Sequence, residues 1–361
     1  MSDTIEPNRT FSVRDSIVFQ REACERMGAP LYARLLGGVE DDYDRGGTSA
    51  ALLDGRSERP LHEAVPLRLL GGVHRLVLGG QAPELAEFYP SAGGSSTGDP
   101  VPGFLAALDA HRDELETRMG QGVQTNEVGR AALLAPGFAL VARRTGLPLH
   151  LREVGSSAGL LLRWDRYRYS AGGTVLGDPG SPLAFEDVYV PPVPDLSGPV
   201  EVADRRGCDI SPIDATTEEG RLTLLSFVWP DQLERFERLR TALDLAHAHP
   251  VVVDRADAGR WVGEQVRELP AGRATVVFHS IVLQYLLKDS RRAMKAALEH
   301  AGDGATDDAP LAWLRMEPAG AKHADLRLTS WPGGEEELLA TSGFHGADIR
   351  WGPSDVEDGD G

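Results

Sequence analysis

Lysine is almost missing from this chain. Only Lys288, Lys295 and Lys322 occur among 361 residues; arginine supplies the rest of the 37 basic side chains, and 55 acids leave a net charge of −18. A phosphate backbone repels such a surface unless a local basic patch overrides it, and no Lys/Arg cluster is present, so no nucleic-acid partner is expected. Cysteine is scarce too. Cys24 and Cys208 lie far apart with no CxxC, which argues for a reducing cytoplasm and against a thiol redox centre or zinc site. The ten histidines are scattered, and the close pair His247 and His249 cannot share a helix face, so no metal is expected. No apolar run approaches the ~18–20 residues of a membrane helix. The opening MSDTIEPNRTFSVRDS is polar and has no apolar signal core. The expectation is a cytoplasmic protein with no membrane partner, acting on a small molecule, of oligomeric state not readable from the sequence.

What is present is an ordinary globular balance, 41% hydrophobic and 25% charged, in a chain long enough to bury a large core without disulfides. Residues 1–147 read as an all-helical N-terminal cap domain. Apolar residues fall at helical spacing over Ser12–Met27, Leu31–Val39, Pro66–Leu78, Gly103–Met119 and Asn126–Thr145, with glycine and proline stops between them. From Leu147 short β-branched runs alternate with helical stretches. Strands are predicted at Pro148–Val154, Val200–Asp209, Val251–Asp254, Ala274–Ser280, Ala312–Glu317, Asp325–Ser330 and Ala347–Trp351. Helices are predicted at Pro230–Ala248, Gly259–Leu269, Ser290–Ala301 and Glu335–Thr341. This alternation predicts an α/β domain over 148–361 with a mainly parallel sheet. Residues 162–199 interrupt it with turn-rich sequence (RYRYSAGG, GDPGSP), read as a β-hairpin insertion after the first strand.

The most informative segment is LHLREVGSSAGLLL, residues 149–162. An apolar strand ends in Glu153, and Gly155, Ser157 and Gly159 then occupy alternate positions of a tight strand-to-helix turn. Small residues there let a ligand approach the backbone at a helix N-terminus, at the strand ends where open α/β sheets bind ligands. A tight turn wants glycine for its own sake, and two functional readings share these residues. Glu-x-Gly-x-x-x-Gly resembles the S-adenosylmethionine loop of class I methyltransferases. Gly155-Ser156-Ser157-Ala158-Gly159 also fits the nucleophile elbow of α/β-hydrolases, with Ser157 as nucleophile, Asp254 or Asp257 as acid and His279 or His345 as base. A hydrolase elbow follows several earlier strands. Here the preceding residues read as helical, which favours the cofactor loop.

Residues 148–351 thus resemble a class I methyltransferase with a Rossmann-like seven-stranded sheet. The chain also resembles an actinobacterial family of unknown function through TNEVGR (125–130), EVGSSAGLLLRWDRY (153–167), RRGCDISPID (205–214), FVWPDQLERFERL (227–239), VVFHSIVLQYL (276–286) and LAWLRMEP (311–318). The methyltransferase resemblance implies S-adenosylmethionine as cofactor. Glu153, Gly155, Ser157 and Gly159 would lie along its methionine part, Asp209 at the ribose hydroxyls, and Asp257 with Ala258 at the adenine. The alternatives are a turn cap for Asp209 and a helix N-cap for Asp257 or Asp254. Two departures stand out: Ser157 replaces the loop's middle glycine, and the 162–199 insertion follows the first strand. A methyltransferase-like module that binds without catalysing is a third reading.

Methyl transfer needs alignment and, for a protonated nucleophile, a base. His279, at the end of the fourth strand, is the first candidate for that base, against the alternative of a histidine satisfied in the core. Tyr285 follows it, and Glu317 ends the fifth strand where a charge needs a partner. Asn126, Glu127 and Arg130 form a polar cluster opening a helix, with Asn126 and Arg130 on one face, readable as contacts to the cofactor's carboxylate or the substrate, or as a capping set with Thr125. Trp229 is a candidate pocket wall, and Trp164 a candidate cover from the insertion.

Overall fold

The computed structural model describes residues 11–320 and 323–352. The chain forms two compact units. One comprises the chain up to Thr125 together with Thr217–Arg240, and the other comprises Asn126–Thr216 and the chain from Thr241 onward.

The first unit is helical: α1 (Val13–Arg26), α2 (Pro30–Asp44), α3 (Thr48–Leu53), α4 (Val65–Leu78), α5 (Pro83–Ala86), α6 (Val101–Ala110) and α7 (Arg112–Met119). Ser12 and Asp15 form a capping box on α1, and proline occupies the first turn of α2 and α4, where its missing N–H costs nothing. The single helix predicted over Gly103–Met119 is divided at His111 into α6 and α7. The core gathers Ile17, Leu35, Leu36, Leu69, Val73 and Phe104. His74 is buried here between the Ser226 carbonyl (3.0 Å) and the Ser91 hydroxyl (2.7 Å), and burial drops its pKa to about 4.

The second unit carries the sheet. It opens with α8 (Ala131–Thr145) and β1 (Leu149–Val154), all six of whose residues are buried. The insertion supplies β2 (Arg168–Ala171), β3 (Thr174–Gly177) and β4 (Ala184–Phe185), which form a small separate sheet, and then β5 (Tyr189–Val190). After β6 (Val202–Asp209) come α9 (Glu218–Ser226), in the helical unit, and α10 (Leu233–Ala248), which runs from one unit into the other. The rest is β7 (Val252–Arg255), α11 (Ala258–Gln265), β8 (Ala274–Ser280), α12 (Lys288–Asp303), β9 (Leu311–Pro318), β10 (Ala324–Trp331), β11 (Glu335–Ser342) and β12 (Ile349–Trp351).

The main sheet has nine strands, ordered β5-β12-β11-β10-β9-β8-β1-β6-β7, where seven were expected. Neighbours from β7 to β9 are all parallel, β9 to β12 form an antiparallel meander, and β5 joins β12 in parallel. The two additional strands have distinct causes. β5 comes from the insertion. β11 replaces the helix predicted over Glu335–Thr341: its glutamates suit a helix locally, but Arg315 and Arg327 take the Glu336 carboxylate and Arg144 takes Glu337. Antiparallel pairing with β10 then outweighs propensity.

α8 packs on one sheet face, where Phe138 stacks on Trp164 at 4.9 Å and meets Phe278 edge-on at 4.9 Å. On the other face α11 and α12 bring Val262, Met294 and Leu298 against Val154, Val277 and Trp313. Coverage on both faces explains why β8 reads as a nearly unbroken apolar run; β1 is equally buried although His150, Arg152 and Glu153 lie within it. The helix predicted from Asn126 begins at Ala131, after a single 3-10 turn over Val128–Arg130 that Glu127, not Thr125, caps. Likewise α10 starts at Leu233 instead of Pro230, and Tyr285 sits on a 3-10 turn, Leu283–Tyr285, instead of a helix.

Candidate functional site

Strand order reverses between β1, which is followed in sequence by β6 on one side, and β8 on the other, so a crevice is expected at their carboxyl ends. The glycine turn leaves β1 there. Gly155, Ser157 and Gly159 have φ of +70°, +52° and +67°, so the alternate small residues answer a left-handed backbone, and Ser157 holds that conformation with a side chain. The turn's amides point into the protein. Those of Gly155 and Ser156 donate to the Cys208 carbonyl (2.9 and 3.0 Å), that of Ser157 to Asp209 Oδ2 (2.9 Å), that of Gly159 to the Ser156 carbonyl (2.7 Å) and that of Leu160 to Asn126 Oδ1 (3.0 Å). A Cβ on Gly155 would lie 2.3 Å from Val282 Cγ2, and one on Gly159 2.8 Å from Val251 Cγ2. Side chains of the protein occupy the space these glycines open.

Glu153, beneath the turn, is buried, and its Oε2 has no hydrogen-bond partner. Burial pushes its pKa up to about 8, so the carboxyl is largely protonated at neutral pH. Asp209, at the end of β6, is half-buried and accepts from the Ser157 and Ser211 amides at 2.9 and 2.8 Å. Asp257 is the N-cap of α11, accepting from the Arg260 amide at 3.1 Å, and Ala258 is the buried first residue of that helix. Asp254 forms a two-pronged ion pair with Arg206 (2.6 and 2.8 Å) and accepts from Trp261 Nε1 (2.7 Å); Arg206 holds its carboxyl below the usual range.

At the ends of β8 and β9, His279 is fully buried. Trp313 Nε1 donates to its Nε2 at 3.0 Å, which assigns the ring proton to Nδ1, where it is donated to Glu317 Oε1 at 2.7 Å. The histidine expected at the mouth thus has both nitrogens engaged within the protein, one of them with Glu317. The same Oε1 accepts from the amides of Val282 (3.0 Å) and Leu283 (3.3 Å). These amides are presented by Ile281, a β-branched residue at φ +52° whose own amide donates to the Met316 carbonyl (2.8 Å). Left-handed backbone at such a residue is strained. Ser157 and Ile281 therefore place strain on the two adjacent turns of the switch point.

Asn126 and Arg130 do not share a helix face; each ties down a different strand exit. Arg130 donates to the carbonyls of Ser280 (2.9 Å) and Phe344 (3.1 Å). Glu127 accepts from the Gly129 amide at 3.1 Å and lies 3.3 Å from His345 Nδ1, within ion-pair range but bent away from hydrogen-bond geometry. A Cβ on Gly129 would stand 2.2 Å from the His345 carbonyl oxygen, so TNEVGR is packed backbone to backbone against the loop after β11. Trp164 lies in the core instead of over a pocket, Trp229 belongs to the helical unit against Tyr32 (ring centroids 6.2 Å apart), and Tyr285 is exposed. Neither Asp254 nor Asp257 is bonded to a histidine among the described residues; His279 faces Glu317 and His345 faces Glu127. Sequence reasoning missed Ile281, Val282 and Trp313. Trp313 meets His279 through sheet register, which leaves no local signal, and no residue pattern announces a left-handed isoleucine.

Among the described residues no three His, Cys, Asp or Glu side chains come together to hold a metal ion, and no helix is long and apolar enough to cross a membrane. The chain matches, over residues 14–351, a family described as an uncharacterized protein conserved in bacteria (DUF2332). It belongs to that family. No curated protein and no solved structure shows significant similarity to it.

Proposed function

We propose that the carboxyl edge of the sheet binds S-adenosylmethionine and that the protein transfers a methyl group to a small molecule. The observation that carries this reading is Asp209: a half-buried carboxylate, clamped by two backbone amides at the end of the strand beside β1, with lone pairs left to accept from two ribose hydroxyls. The strand order supports it, since the five parallel strands β7-β6-β1-β8-β9, numbered among themselves in chain order, run 3-2-1-4-5 in the doubly wound arrangement. The unpartnered Oε2 of Glu153 supports it as well, because a ligand ammonium satisfies such a group and ionises it. Val282 closes the Gly155 face, so occupation requires that side chain to move.

When bound, the cofactor supplies an activated methyl group. Asp209 would hold the ribose, Glu153 the amino end, and Asp257 with Ala258 the adenine. Glu317 is the acceptor for the substrate proton, and His279 fixes its carboxylate with the two turn amides. Calorimetric titration with S-adenosylmethionine and S-adenosylhomocysteine tests the reading. Micromolar binding, weakened by ~1–3 kcal/mol in Asp209→Asn, is expected. A folded protein that binds neither at millimolar ligand overturns it.

A second reading, a binding module that does not catalyse, is favoured by the self-satisfied amides of the glycine turn and by the side chains filling it. Cofactor binding with no turnover against any acceptor, unchanged by Glu317→Gln, identifies it.

A further inference from the structure

We infer that a cavity at the opposite, amino-terminal edge of the sheet binds a small organic monocation with an apolar body, an alkylammonium. The cavity, of about 270 Å³, lies between the last turn of α8, the starts of β8 and β9 and the end of β10. That is just below the ~300–1,000 Å³ of drug-sized pockets, so its occupant is small. Its walls are mainly apolar, among them Val141, Leu311, Ala312 and Trp331.

The charges decide what it takes. Two charged residues line it, Arg144 and Asp307. The Arg144 guanidinium donates to both oxygens of Glu337, which raises its pKa and neutralises its charge locally. The exposed Asp307 carboxylate makes no hydrogen bond or ion pair among the described residues, so one negative charge remains uncompensated beside a mainly apolar lining. A cation with an alkyl body meets both demands, its charge pairing with Asp307 and its alkyl part packing on the apolar wall. The net charge of −18 draws cations to the molecule. The carboxyl-edge residues play no part here, so this inference stands or falls separately from methyl transfer.

The full chain is titrated calorimetrically with choline, with isopentylammonium, with 3,3-dimethylbutanol as the neutral isostere of choline, and with ammonium ion. Binding of at least one alkylammonium is expected, about fivefold or more tighter than the alcohol, which lacks the charge, and than ammonium ion, which lacks the apolar body. Asp307→Asn weakens it about fivefold, Arg144→Gln, which uncovers Glu337, tightens it, and Asp209→Asn leaves it unchanged. Both alkylammonium probes failing to bind at 10 mM (about the weakest range calorimetry reads), equal binding of the neutral isostere, or indifference to Asp307→Asn each overturns the assignment.

Discussion

At the carboxyl edge of the main sheet, the turns leaving β1 and β8 hold Ser157 and Ile281 in left-handed backbone, and nearly every amide there is bonded to the chain itself. At the amino edge no residue lining the cavity has a left-handed backbone, and the space is open with one unpaired carboxylate among the described residues. Strain persists only where the surroundings over-determine it. The carboxyl edge is therefore a place where position has been fixed at the expense of room, and a ligand there must displace Val282. The amino edge offers room without rearrangement but few groups to specify what enters.

Substitutions can break this contrast. The largest effect is expected from His279→Ala, which leaves Trp313 Nε1 without an acceptor, removes a donor to Glu317 and opens a cavity in the sheet. A loss of about 2–4 kcal/mol in denaturant unfolding is expected, whereas Asp307→Asn at the other edge stays within about 0.5 kcal/mol of the parent. Equal, small effects at both edges would remove the distinction.

Glu153→Gln sharpens it through pH. The folded protein keeps a proton on Glu153 up to about pH 8, while the unfolded chain releases it near 4.5. A raised carboxyl pKa contributes stability that is fully present below 4.5 and lost as pH rises to 8, at up to about 1.4 kcal/mol per pH unit. The Gln variant should lack this slope, so stability curves of the two proteins, measured from pH 4.5 to 8, should diverge; parallel curves would refute the buried neutral acid. Smallest is Ser157→Gly, which relieves the left-handed serine and should stabilise by about 0.5–1 kcal/mol in thermal unfolding. A loss instead would mean that the hydroxyl contributes more than the strain costs.

Much of this arrangement is legible in the sequence where local pattern and tertiary demand agree. β8 announces itself as an apolar run because both sheet faces are covered, and Gly155 and Gly159 mark the turn because the backbone there is left-handed. Legibility fails where partners are distant. Glu335–Thr341 has helical composition and becomes β11 because arginines from α8, β9 and β10 claim its acids. Asn126 and Arg130 look like one helix face, yet their bonds go to Leu160, Ser280 and Phe344. Trp164 reads as a cover at the start of an insertion, and Phe138 draws it into the core. His279 reads as a base until Trp313 is found on its second nitrogen.

The two residues of β5 carry a consequence for self-association. They lie alongside β12 at the margin of the main sheet, pairing Tyr189 with Ile349 and Val190 with Arg350. Without them β12 would offer a row of unpaired backbone groups, the template on which neighbouring chains add strands. So short a strand offers little length for another molecule to extend. The insertion after β1, whatever it contributes to a ligand site, also blunts this margin and helps to keep the chain from templating its own aggregation.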